Sequence, residues 1–189
     1  MPVITKEESL LLQCLATTSL LGELSNADFF QSEYFEGLAF ANEECKNILK
    51  LSGIGNPATM QMMLYALLVV PSELIFKKKV HETMDDICEN VNQFIKLLVV
   101  NETTTYVYTR AADVTAINYM HHLRNSVAHS KLLFETENKT NYVTFTDRNP
   151  NNDSVFCSFK METQKVGLIL MELQKVIMEY YNIKHSATA

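Results

Sequence analysis

The sequence predicts a mainly α-helical fold, a helical bundle with a β-hairpin inserted before its last helix. Three observations carry that expectation. Stretches such as residues 6–21 have helical composition without Gly or Pro, and Ala116, Met120, Leu123 and Val127 recur at three- and four-residue steps, the period of a helix. Between about residues 132 and 160 the pattern changes to alternation, in YVTFT and VFCSF, on either side of the turn-forming cluster DRNPNND. From Glu162 to Asn182, apolar pairs and charges then return to helical spacing.

Each element has its own signals. Residues 6–21 lack Gly and Pro and read as a helix, and a second helical stretch begins after Ser25 or Asn26 and runs through DFFQSEYFEGLAFANEECKNILKL, with a break near Gly37. SGIGNP at 52–57 ends this block, and Pro57 suits the first position of the next helix, where its missing N–H has no partner to lose. Met60 to Val70 (MQMMLYALLVV) is the most apolar run and reads as a central buried helix over 57–70; it is too short for the ~18 to 20 residues of a membrane span. A helix over 80–98 places Glu82, Asp85 and Asp86 early and Lys96 late, which complements the helix dipole. Asn101 to Thr105 breaks the pattern, and a long helix from about Arg110 to Ser130 follows, with Ala116, Met120, Leu123 and Val127 on its apolar face. LLFET reads as a short strand beside the hairpin, and Thr163 is placed to cap the last helix. Residues 1–55 are expected to form an N-terminal helical extension packed on the core, and 56–185 the main helical domain with the hairpin at about 132–160.

Composition narrows the functional classes. At 189 residues and 47% hydrophobic content the chain can bury a substantial core. A net charge of -6 gives no general attraction for a polyanion, so any nucleic-acid contact must be local. Cys14, Cys45, Cys88 and Cys157 are scattered, with no Cys-x-x-Cys pair, which argues against a structural zinc site and a disulfide framework and for a cytoplasmic location. The start, MPVITKEESLLLQCLATTSLL, carries Glu7 and Glu8 where a signal peptide would be basic. The sequence has no P-loop, Gly-rich phosphate loop or Gly-x-Ser-x-Gly elbow, and no cofactor or metal is expected.

The chemistry concentrates in HHLRNSVAHSK, which holds three of the five histidines within nine residues around an Arg-Asn pair. On a regular helix His121, His122, Asn125 and His129 form one polar stripe with Arg124 at its edge, turned either to water or to a polar ligand. Arginine offers a planar fork of donors that stays charged and suits a phosphoryl transition state, and histidine can take or give a proton near neutral pH. In RNA the 2′-OH is an internal nucleophile, so a positioned base and acid suffice without a metal ion. Arg124 and His129 are five residues apart, hence about 140° apart on a helix, and converge poorly within one chain. A two-fold dimer repairs this by lining one cleft with both pairs.

Arg124-Asn125-Ser126-Val127-Ala128-His129 resembles the R-x4-6-H signature of the HEPN superfamily, often with Asn after the Arg. The setting is similar too, since LRNSVAHSK, YVTFTDRNP, VFCSF and the last helix follow the order of one HEPN form: a long helix, a hairpin with an aspartate near its turn, then an amphipathic helix. The likeness covers about 57–182, and YALLVVP adds to it. It implies a helical bundle that dimerises and a metal-independent endoribonuclease of the kind found in toxin–antitoxin, phage-defence and CRISPR-linked systems, with RNA as substrate and an antitoxin or regulatory protein as a further partner. Arg124 would bind phosphate and stabilise the transition state, His129 would act as acid or base, and Asn125 would orient the phosphate or its partners. Inactive members also exist, so the alternative is a non-catalytic module that binds RNA, a nucleotide or a protein; a purely structural dimerisation domain is a third reading.

Other polar groups admit two readings each. His121, His122 and Lys131 either contact RNA or belong to the local surface. Asp147 and Arg148 fit ordinary turn chemistry as well as a site, and Lys77-Lys78-Lys79 fits a solvated helix end as well as an RNA track.

Overall fold

The first helix starts where a capping box starts it. Thr5 Oγ1 accepts from Glu8 N at 3.2 Å while Glu8 Oε2 accepts from Thr5 N at 2.7 Å, and α1 runs Lys6–Asn26. The computed structural model describes residues 4–76, 82–104 and 117–186. The Lys77-Lys78-Lys79 cluster and the expected first turns of the signature helix, up to Ala116, lie outside the described residues.

The second helical stretch is not the long helix that its composition predicts. A 3-10 turn at Phe29–Gln31 is followed by α2, Glu33–Glu36, and then by α3, Glu43–Ser52, with Ser32 and Asn42 capping the two helices. Aromatic residues explain the folding back: Phe29, Phe30 and Phe40 all pack their rings on Phe35, at 5.6, 4.9 and 5.7 Å between centroids, and Phe35 is 1% exposed. A straight helix would scatter those positions around its circumference. The Lys46 ammonium ties α3 back to the carbonyls of Glu36 and Leu38.

α4, Pro57–Leu64, has Pro57 in its first turn and Asn56 accepting from Thr59 N at 3.0 Å. It does not stop before Pro71 as expected. The helix continues through π-helical turns at Tyr65–Val69 and Ser72–Phe76, and the first of these makes room for the proline: Val70 N bonds to Tyr65 O, widening the backbone just where the ring would meet a carbonyl. Leu64, Leu67 and Leu68 are fully buried here, as the apolar run predicts. α5, Glu82–Leu98, packs on the later helices.

The segment that reads as a break is a strand. β1, Asn101–Thr104, pairs with β4, Val155–Glu162, with Asn101 opposite Lys160 and Thr104 opposite Cys157. With β2, Leu132–Glu137, and β3, Thr140–Arg148, these form a four-stranded antiparallel sheet in the order β1-β4-β3-β2, where the sequence pattern predicts a hairpin and the short LLFET strand beside it but not β1. Asn138 and Lys139, both at positive φ, make the two-residue turn between β2 and β3.

α6, Tyr119–Ala128, carries the signature and is shorter at its start than expected, since Ile117 and Asn118 are not helical. Asn118 caps it, and buried Asn92 of α5 clamps that end by donating to Ile117 O and accepting from Met120 N, each at 3.1 Å. α7, Thr163–Ser186, follows β4 directly, and Thr163 does not cap it: its hydroxyl is buried without a hydrogen-bond partner among the described residues. One apolar core joins Leu11 of α1, Leu64 to Val69, Ile95 of α5, Leu123 and Val127 of α6, Val143, Phe145 and Phe159 of the sheet and Ile169 to Ile177 of α7. No single helix among the described residues is long and apolar enough to cross a membrane.

Candidate functional site

α6 packs its buried face against β3, and the polar residues along its flank form one hydrogen-bonded chain. Glu73, in the π-helical turn after α4, pairs with the Arg124 guanidinium. Arg124 Nη1 donates to Asn125 Oδ1 at 2.9 Å. Asn125 Nδ2 donates to Asp147 Oδ2 and to His121 Nε2, both at 3.0 Å. Asp147 Oδ2 also meets His122 Nδ1 at 2.7 Å, and because an ionised carboxylate can only accept, the imidazole is the donor. Asn125 is the hub of this chain rather than an amide left over for a ligand.

The position of His122 corrects the expected polar stripe. Tyr119, His122 and Ser126 are buried together with Met120, Leu123 and Val127, so the core face of α6 is wider than its apolar residues mark and takes in His122, which is 2% exposed. It neither faces water nor offers itself to RNA. His121, half-buried, stands edge-on to it with ring centroids 5.7 Å apart.

Asp147 is the residue that sequence reasoning undervalued. It sits near the end of β3, 4% exposed, at a register irregularity between Asp147 and Arg148. Burial pushes the carboxyl upward in pKa, but the hydrogen bonds from His122 and Asn125 outweigh it and hold Asp147 below the usual carboxylate value. The signal that finds it is periodicity: Val143, Phe145 and Asp147 are the alternating inward positions of β3, and a carboxylate continuing such a series needs a buried partner.

Beside this chain lies a cleft of about 290 Å³, lined by Asn125, His129, Lys131, Asp147, Arg148 and the loop after β3. His129, at the end of α6, is exposed, and its N–H is held by Asn125 O. Lys131 is exposed on the same rim, and Arg148 Nη1 donates to Asp153 O at 2.9 Å. The structure therefore brings Asn125, His129 and Lys131 together. Arg124 is not among the residues lining this cleft; it lies on the other side of Asn125, turned to Glu73. Among the described residues, no group of three or more His, Cys, Asp or Glu is arranged to hold a metal ion.

Chemically, the arrangement offers an accessible imidazole, two cationic side chains at the cleft rim and, a hydrogen bond away, a guanidinium with a fixed neighbour. Such a set handles a phosphodiester more naturally than a carbonyl or a neutral sugar. Neither the curated proteins nor the solved structures contain a significant match to the chain. The family model described as HEPN pEK499 p136 does match, over residues 6–184, which takes in α1 and the signature helix alike; the chain belongs to that HEPN family.

Proposed function

We propose that the protein is a metal-independent endoribonuclease that cleaves RNA by attack of the 2′-OH, at a composite site completed by a second copy of the chain. The observation that supports this best is an exposed His129 sharing a cleft with Lys131 and Arg148, beside the hydrogen-bonded chain that holds Arg124 one residue from that cleft's Asn125. In the reaction an imidazole takes the 2′-OH proton, O2′ bonds to phosphorus, the P–O5′ bond breaks, and a second imidazole protonates O5′. The products are a 2′,3′-cyclic phosphate and a 5′-OH. Arg124 stabilises the charge on the phosphorane oxygens, and Lys131 holds a flanking phosphate. A toxin or phage-defence role, with a neutralising partner protein, rests on the family likeness alone.

Purified protein incubated with RNA in EDTA tests the reading. Cleavage is expected for the wild type, lower by at least about 10²-fold in Arg124→Ala and His129→Ala, and none on DNA of the same sequence. An uncut RNA, or equal cleavage by the variants, sinks it. The second reading, a non-catalytic module that binds RNA, is favoured by the Glu73 carboxylate already on Arg124 and by the net charge of -6. It predicts binding without products in the same assay.

A further inference from the structure

We infer that His122 and Asp147 are positioning residues, a buried pair that sets the orientation of the Asn125 amide and, through it, the aim of the Arg124 guanidinium. What that aim is used for rests on the nuclease reading above; the geometry does not.

Asp147 Oδ2 is a shared acceptor, taking hydrogen from His122 Nδ1 and from Asn125 Nδ2. The other hydrogen of the Asn125 amide goes to His121 Nε2. Both amide hydrogens are thus committed on one side, and turning the amide over would set its oxygen against a carboxylate oxygen. Oδ1 is left facing Arg124, which donates to it. Arg124 Nε is buried and has no partner among the described residues, so Glu73 and Asn125 are the supports that orient the guanidinium.

Packing alone does not call for this pair. Leu123, Val127, Val143 and Phe145, each no more than 1% exposed, already join α6 to β3 within the core. A buried polar pair is often no more stabilising than apolar side chains of similar volume. His122 and Asp147 are also 2% and 4% exposed and present almost no surface to a substrate. Their effect on chemistry runs through Asn125.

The test is a cycle of Asp147→Asn, Asn125→Asp and the double variant N125D/D147N, with His122→Phe alongside. In the double variant donor and acceptor exchange places across the contact between positions 125 and 147, with His122 Nδ1 accepting from the new amide in its other tautomer. In each single variant kcat for RNA cleavage is expected to fall on the order of 10- to 100-fold with KM within about twofold, and the double variant to recover most of the loss. The Arg124 Nε–H resonance in NMR spectra should be sharp in the wild type, exchange-broadened in the single variants and sharp again in the double. Variants that melt earlier yet keep kcat and the resonance unchanged would reduce the pair to packing and overturn the inference. If the wild type cuts no RNA, the nuclease reading fails separately, and the resonance still decides whether Asp147 and His122 aim Arg124.

Discussion

At the scale of single residues, Arg124 has two neighbours that compete for different uses of its charge. Asn125 orients it, whereas Glu73 neutralises it, and an RNA phosphate would have to displace or share that carboxylate. Glu73 is exposed and the pair is only partly shielded, so its contribution is on the order of 1 kcal/mol. Glu73→Gln is therefore expected to tighten binding of an RNA oligonucleotide by about fivefold, measured by fluorescence anisotropy in a His129→Ala background that prevents turnover; unchanged or weaker binding would show that Glu73 does not compete. Arg124, Asn125 and His129 stand out as candidates in the sequence because a signature fixes their spacing along one helix, and the structure puts Asn125 and His129 on one cleft with Arg124 outside its lining. Glu73 and Asp147 do not stand out, since their roles come from the π-helical turn Ser72–Phe76 and strand β3 meeting α6, at separations of 51 and 22 residues from their partners. Asp147 had a local trace in the alternation of β3, hidden by the turn-like Asp-Arg-Asn-Pro that follows from it.

At the scale of elements, the ends of the chain are clasped by one carboxylate. Glu8 closes the capping box of α1 and also meets Lys184 Nζ at 2.7 Å and His185 Nε2 at 3.1 Å on α7. Burial raises its pKa, but the Lys184 and Thr5 hydrogen bonds more than offset that and bring it from 4.5 to about 2. A carboxyl whose folded pKa is depressed adds stability that is complete above its unfolded pKa and fades as pH falls through its folded one. Glu8→Ala should therefore cost about 2 kcal/mol at pH 7, and the gap from wild type in urea melts should close between pH 5 and pH 2; a gap independent of pH would refute the clasp. Helix starts with a Ser, Thr or Asn cap, or a Pro at the first turn, are readable because their cause is local. β1 is not: NETT has no alternation to speak of, and only its partner β4 makes it a strand. The aromatic run from Phe29 to Phe40 misleads in the same way, because composition favours a helix and ring packing on Phe35 folds it into short pieces.

At the scale of the whole molecule, the order of helices and strands around the signature was legible, but the relation between two copies leaves no pattern in one sequence. A single chain places His129 in the cleft beside Lys131 and leaves Arg124 outside its lining, with Asn125 between them. With a net charge of -6, attraction for RNA must be local, and since Glu73 and Asp153 pair with Arg124 and Arg148, a two-fold axis that doubles these cations and Lys131 is one way to concentrate positive charge. This makes a specific demand on mixtures. Arg124→Ala protein keeps its imidazole and His129→Ala protein keeps its guanidinium, so on the proposed composite site a mixed dimer would hold one of each, while neither parent dimer would. Subunit exchange between the two inactive proteins should therefore restore cleavage to at least about tenfold above the sum of the parents, at a level below wild type because only one of two cations and one of two imidazoles is present. If the reacting groups all came from one chain, no subunit in the mixture would carry a complete set, and the mixture would be as inactive as its parts.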